Sequence, residues 1–247
     1  MFITSGVSEA STNKRVTDLP GSLRVFVQAR MSSRRFPGKV LAPFKGEPLI
    51  QRVLSSVHRA LPRSFVVVAT SVEKSDDPLV CYLESLGAEV FRGCLENTFE
   101  RFRDCVRKYP CEWFLRINGD SPLLDPRVLQ AVVRFADPAL DLVTTIFPRT
   151  FPKGQNAELI RVSPFLKINS AELSREDQEH VTQFYYRNST RFRIFNVPSN
   201  NAESAKSSLA VDSLEDLLRL EGLTDNDREE LSPGPASPGK AGGLCAS

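Results

Sequence analysis

From Leu23 onward, short unbroken apolar runs alternate with longer stretches in which apolar residues recur every three or four positions. LRVFVQA, SFVVVAT, AEVFRG and WFLRI are runs of the first kind and read as strands buried on both faces. Between them, PLIQRVLSSVHRAL, DPLVCYLESLG and NTFERFRDCVRKY carry helical spacing. In the second of these, Leu79, Val80, Leu83 and Leu86 share a face before a closing Gly87; in the third, Phe99, Phe102, Val106 and Tyr109 do so. Strand, helix, strand in strict succession predicts a mostly parallel sheet with helices on both faces.

After Asp125, an expected helix cap, the pattern gives a helix over PRVLQAVVRFA, a strand over DLVTTIF, the connector PRTFPKGQN and a strand over AELIRV. Helical stretches follow around FLKINSAEL and DQEHVTQFYYRNS, then a strand FRIFNV. LAVDSLEDLLRLEGL closes the series as a short strand leading into a capped helix. This organisation predicts a single α/β domain over residues 23–223. Residues 1–22 are polar and aperiodic and are expected to be a flexible extension; residues 224–247 are rich in Pro, Gly and Ser and are expected to be a disordered tail.

Composition narrows the function classes. With 41% hydrophobic and 25% charged residues in 247, the chain is an ordinary globular protein with enough apolar material for a full core. No apolar run is long enough to span a bilayer, and the start MFITSGVSEASTNKRV lacks the apolar region of a secretory signal, so a cytoplasmic protein without membrane contact is expected. A net charge of +2 offers no general nucleic-acid signal. Five cysteines without CxxC or Cys/His spacing indicate reduced, mostly buried thiols rather than disulfides or structural zinc.

In sheets of this kind ligands bind beyond the carboxyl ends of the strands. Two segments fall at that edge: ARMSSRRFPGK after the first strand and NGDSPLLD after WFLRI. The first lacks both the Walker A pattern and GxGxxG, yet Arg30, Arg34, Arg35 and Lys39 surround the small residues Ser32, Ser33 and Gly38. Small residues let backbone amides approach a ligand while arginine and lysine meet its phosphates; a solvated basic loop is the plain alternative. Asp120, at the end of a buried strand, is costly there unless donors or a cation satisfy it. Magnesium favours one or two carboxylates plus substrate phosphates, which suits an aspartate facing a basic loop. Asp212 precedes the cap-like Ser213 and Asp216, and would share a metal with Asp120 if its strand lay beside WFLRI. His180, in EDQEHVTQFYY, has acidic and aromatic neighbours; helix packing explains it equally well. No GxSxG elbow or recognisable triad is present, which disfavours a covalent hydrolase.

QARMSSRRFPGKVL, VVVATS, FRG, LRINGDSPLLDP, FPKGQNAELI, EHVTQFYYRNSTRFRIFNV and AVDSLEDL stand in the order found in the cytidylyltransferases of the spore-coat polysaccharide type. The chain resembles that family, and through it the CMP-sugar-acid synthetases, over roughly residues 23–223. The resemblance implies a Rossmann-like nucleotidyltransferase fold and a magnesium-dependent enzyme. Such an enzyme activates a sugar or sugar acid with CTP for glycan or surface polysaccharide synthesis and releases pyrophosphate. It assigns phosphate binding and catalysis to Arg30, Arg35 and Lys39, with Ser33 and Gly38 in the nucleotide loop and Asp120 close to it. Asp120 and Asp212 become metal ligands. Glu158, Asn156 and His180 fall toward the sugar, and the segment from Asp177 to Tyr186 offers a dimer contact if it is not simply a core helix.

Ser32 and Arg34 stand where relatives have Gly and Thr, Asn156 replaces an Asp, and Leu209 and Ala210 replace more polar residues. Two other readings stay open at this level. One is a glycosyltransferase that consumes a nucleotide sugar; the other is a nucleotide-binding paralogue with weakened catalysis.

Overall fold

A computed structural model describes residues 22–232 and 234–236. Its centre is a sheet of seven strands in the order β5, β4, β1, β6, β8, β7, β9. These are β1 (Leu23–Gln28), β4 (Phe65–Ser71), β5 (Glu89–Gly93), β6 (Trp113–Asn118), β7 (Leu142–Thr144), β8 (Ala157–Arg161) and β9 (Ile194–Asn196). The four apolar runs beginning at Leu23 form a continuous parallel block, with Val27 opposite both Val68 and Ile117. Only β8 runs against its neighbours. Because β8 returns between β6 and β7, the connector 145–156 begins and ends at the edge where β6 also finishes, and it stays there.

Alternation within the strands builds two cores. Val25 and Val27 face one side, with α1 (Leu49–Ala60) and α4 (Pro126–Arg134) packed over them. Phe26 faces the other, where α3 (Thr98–Lys108), α5 (Val162–Lys167) and α7 (Gln183–Arg187) supply Phe99, Phe102, Phe165 and Phe184. Burying such a ring contributes roughly 1.5–3 kcal/mol, so these layers fix the frame on which the loops sit. Helix α2 (Asp77–Ser85) covers the β4–β5 side and ends where Gly87 takes φ 70°.

Several features bear on the sequence reading. Pro43–Phe44 and Glu47–Pro48 form a two-strand hairpin, β2–β3, through Lys45 and Gly46, both at positive φ; two-residue strands are too short to leave a pattern. The expected strand before Asp212 is absent. Its segment passes beyond the end of β6 and makes one bridge, Ser208 to Lys153, while Leu209 and Val211 sink into a third cluster with Phe44, Leu217 and Leu220.

The disorder expected from residue 224 does not hold at its start, because a capping box of Thr224 and Asp227 begins α9 (Asp225–Leu231) directly after α8 (Leu214–Glu221). The rest of that tail and residues 1–21 lie outside the described residues, apart from 234–236. Finally, Val181, Phe184 and Tyr185 are each at most 1% exposed. Their apolar surface is spent on the core, as the core-helix reading of this segment expects. Of the described cysteines only Cys105 is buried, and Cys81 and Cys94 are exposed. Among the described residues no helix is long and apolar enough to cross a membrane.

Candidate nucleotide site

The loop after β1 is built by a buried carboxylate that sequence reading passed over. Asp76, wholly buried, accepts the Met31 amide at 2.7 Å on one oxygen. Its other oxygen takes Thr70 Oγ1 at 2.8 Å and the amide and hydroxyl of Ser71 at 2.9 and 2.5 Å. Burial alone would raise this carboxyl, but the hydrogen bonds from Ser71, Met31 and Thr70 outweigh it and hold the group below its ordinary value. The loop is thereby fixed to the end of β4. Met31 in turn accepts the amides of Ser33 and Gly38 through its carbonyl at 2.9 and 2.8 Å. Ser32 Oγ is buried in this loop with no protein partner.

Gly38 adopts φ 74°, a conformation that favours glycine, and starts the short 3-10 turn Lys39–Leu41, anchored by buried Val40. The turn aims Lys39 across the sheet edge. Its Nζ donates to Asp120 Oδ2 at 2.8 Å, to the Val211 carbonyl at 2.7 Å and to Asp212 Oδ1 at 3.2 Å. All three N–H groups of an ammonium are used. Val211 reaches back with its amide to the Asp120 carbonyl at 2.9 Å, so the two aspartates arrive on adjoining backbone.

Asp212 is the meeting point of three cations. Beside Lys39, its Oδ2 takes Arg35 at 2.9 Å and also Lys153, from the connector before β8. Burial works to raise this carboxyl, yet the hydrogen bond from Lys153 and the charge of Lys39 bring it down to about 2. Ser213 and Asp216 form the expected capping box on α8. The connector is itself tied down: buried Gln155 accepts the Asp125 amide at 2.8 Å and donates to the Leu123 carbonyl at 2.8 Å. Asp125 caps α4 through the Arg127 amide.

The remaining expected residues are spread along the same edge. Arg30 reaches Glu179 at 3.5 Å, which brings the end of α6 (Arg175–Glu179) over the first loop. His180 is exposed beside it, and its described bonds are those of its backbone. Asn156 Oδ1 accepts from Arg149 at 2.8 Å, and burial lowers that guanidinium below its usual value. Glu158 lies beneath the surface, 1% exposed, its carboxylate ion-paired with Arg116 and accepting from Thr182 and Tyr186, each at 2.6 Å. With its oxygens so engaged, it holds Arg116 and Tyr186 rather than facing open space. Tyr186 is stacked on Phe147 at 4.8 Å, and burial together with the Glu158 charge pushes its hydroxyl well up.

The basic loop and the two aspartates therefore meet, while Asn156 and Glu158 form a separate group further along. Asp76 and Lys153 were missed. Asp76 reads in sequence as one of an ordinary acidic pair opening a helix, and Lys153 lies in a connector without periodicity.

Among the described residues no three His, Cys, Asp or Glu side chains group as a metal cage. Two carboxylates sharing one lysine, next to a loop with an unpartnered buried hydroxyl, fit an oxygen-preferring divalent ion whose other ligands come from a polyphosphate.

A mostly parallel sheet with a basic loop facing two aspartates at its carboxyl edge suits a nucleotidyltransferase. The chain belongs to the cytidylyltransferase family, whose family model, described as Cytidylyltransferase, matches residues 25–224. It is 28% identical to the spore coat polysaccharide biosynthesis protein SpsF of Bacillus subtilis, over 80% of this chain and 84% of that one. A 3-deoxy-manno-octulosonate cytidylyltransferase of Bdellovibrio bacteriovorus is 25% identical over 80% of this chain and 95% of its own. Among solved structures, a cytidylyltransferase from Leptospira borgpetersenii superposes with a TM-score of 0.78 at 26% identity, covering 85% of this chain and 92% of that one.

Proposed function

We propose that the protein transfers the CMP part of CTP to a sugar or sugar acid and releases pyrophosphate, as a magnesium-dependent cytoplasmic enzyme of glycan or surface polysaccharide synthesis. The observation that carries this reading is the convergence of Lys39, Arg35, Asp120 and Asp212 at one edge of the sheet. Family membership and the sugar-acid substrate in the name of the Bdellovibrio relative support it.

In this reading the loop 30–39 receives the triphosphate, with its backbone fixed by Asp76 and the Ser32 hydroxyl free to donate. Lys39 holds the two aspartates in register and adds charge near the phosphates. Asp120 and Asp212 would hold magnesium, which when bound neutralises charge on the nucleotide's phosphates. An acceptor oxygen bonds to the α-phosphorus and the α–β bridging bond breaks. Its electron pair leaves with pyrophosphate, and the hydroxyl proton passes to solvent. Such chemistry rests on position and charge, so it needs no protein nucleophile. The acceptor would meet Asn156, Arg149, Tyr186 and Phe147, with exposed His180, next to the Glu179 that pairs with Arg30, as a further contact.

The test is a matrix of sugar acids and sugar phosphates against the four nucleoside triphosphates with pyrophosphate detection. Pyrophosphate from CTP with a sugar acid is expected. Release of a nucleoside diphosphate from a nucleotide sugar would make the protein a glycosyltransferase instead.

A further inference from the structure

The two lysines on Asp212 are differently placed to meet a ligand. Lys39 is 8% exposed, and its three donors are all taken by the protein. Lys153 has a side chain 51% exposed, and among the described residues its ammonium meets one acceptor, Asp212 Oδ2. An ammonium has three N–H groups, so two of them are without a protein acceptor among the described residues. Lys153 helps to hold the Asp212 carboxylate ionised, and its own half-exposed ammonium stays open to water and to an anion that enters the site.

The backbone beneath Lys153 is held with unusual firmness for a connector. Its amide donates to the Ser207 carbonyl at 3.0 Å, and its carbonyl accepts the Leu209 amide at 2.6 Å. Gly154, at φ 96°, lies so close to this partner segment that a Cβ there would stand 2.6 Å from the Ala210 nitrogen. Lys153 and Asp212 are thus fixed relative to each other before any ligand arrives. Around them, Lys39, Arg35 and Lys153 face the two carboxylates Asp120 and Asp212, an excess of positive charge before Arg30 and Arg34 are counted.

We infer that Lys153 is a direct ligand of the β and γ phosphates of the bound nucleoside triphosphate, with Asp212 holding its ammonium in place until the nucleotide arrives. Lys39 is then the clamp that positions the carboxylates, and the exposed lysine from the distant connector grips the leaving group. The inference rests on the site being a nucleoside triphosphate site.

Calorimetric binding of CTP and of CMP in EDTA tests this without turnover, using the full chain and its Lys153→Gln and Lys153→Arg variants. Loss of one charge-assisted contact should weaken CTP binding by Lys153→Gln ~10- to 100-fold. CMP, which lacks the β and γ phosphates, should bind within about twofold of the parent, and Lys153→Arg should recover most of the CTP affinity, since it keeps the charge. Unchanged CTP binding by Lys153→Gln overturns the inference. Equal weakening for CTP and CMP also overturns it, since that marks a role in shaping the site rather than in holding the outer phosphates. A parent chain that binds no nucleoside triphosphate removes the functional reading itself, and this inference with it.

Discussion

Lys39 and Asp120 lie 81 residues apart in the chain, yet Nζ of one stands 2.8 Å from Oδ2 of the other, at the point where two neighbouring parallel strands end. The same ammonium holds the Val211 carbonyl and Asp212. Three distant segments are thus joined by a single buried cation, and removing it leaves two carboxylates close together with their common partner gone.

Lys39→Ala should lower kcat for pyrophosphate release from CTP by ~10²-fold or more, as deletion of one preorganised charged donor does elsewhere. The sheet register should persist, because Val40 and the strands are anchored independently. Steady-state rates measure the first claim and far-ultraviolet circular dichroism the second. Activity within a few-fold of the parent would remove Lys39 from the machinery.

Asp120→Asn keeps the shape but withdraws a charge from the pair that would hold the divalent ion. Magnesium-dependent turnover should vanish, while CTP binding measured in EDTA should stay within a few-fold of the parent, since the amide oxygen can still accept from Lys39. Full turnover in the variant would place the metal elsewhere.

Most of the order of strands and helices was legible because each buried run and each amphipathic face carries its own period, and the mostly parallel arrangement followed from their alternation; the two-residue strands β2 and β3 and the strandless segment before Asp212 were the exceptions. Asn97 and Asp125 cap α3 and α4 in the positions that helix-start chemistry dictates. The meeting of the loop around Lys39 with Asp120 was legible for a topological reason: both follow parallel strands and so leave the sheet at one edge. What failed to show were tertiary contacts without local period. Nothing around Asp76 or Lys153 announces that one anchors Met31 and the other reaches Asp212. Glu158 illustrates a different limit, since alternation puts it on a face but cannot reveal that Arg116, Thr182 and Tyr186 already occupy its oxygens.

Gly154→Ala probes how the connector is held. The residue has φ 96°, and a methyl group would meet the backbone of Leu209 and Ala210 at 2.6 Å. A positive φ for alanine costs roughly 1–3 kcal/mol before the steric clash is added. Because backbone atoms cannot swing aside, the connector and the Asp212 segment must part. Thermal unfolding should fall by roughly 5–10 °C, and CTP turnover should fall with it. An unchanged melting temperature would mean that the two segments separate freely.

Asp76 makes the loop depend on ionisation. Its carboxylate is held below the ordinary value of about 3.9 in the folded protein by bonds from Ser71, Met31 and Thr70, against the opposing effect of burial. A group with a depressed folded value stabilises the fold fully above its unfolded value, and that contribution is lost as the pH falls through the folded one. Asp76→Asn turns an acceptor-only group into one whose NH2 must face the donors of Ser71 or Met31, which costs about 1–3 kcal/mol. At pH 7 the variant should therefore be less stable than the parent in urea and show a raised KM for CTP, because Met31 loses its anchor. Below about pH 4 the difference should begin to shrink, since the carboxyl of the unfolded parent is then taking up a proton while the folded one, held lower, still keeps its charge. Urea midpoints for the two proteins at pH 7 and pH 3 measure this directly. A stability gap of equal size at both values would show that the charge on Asp76 has no part in holding the loop.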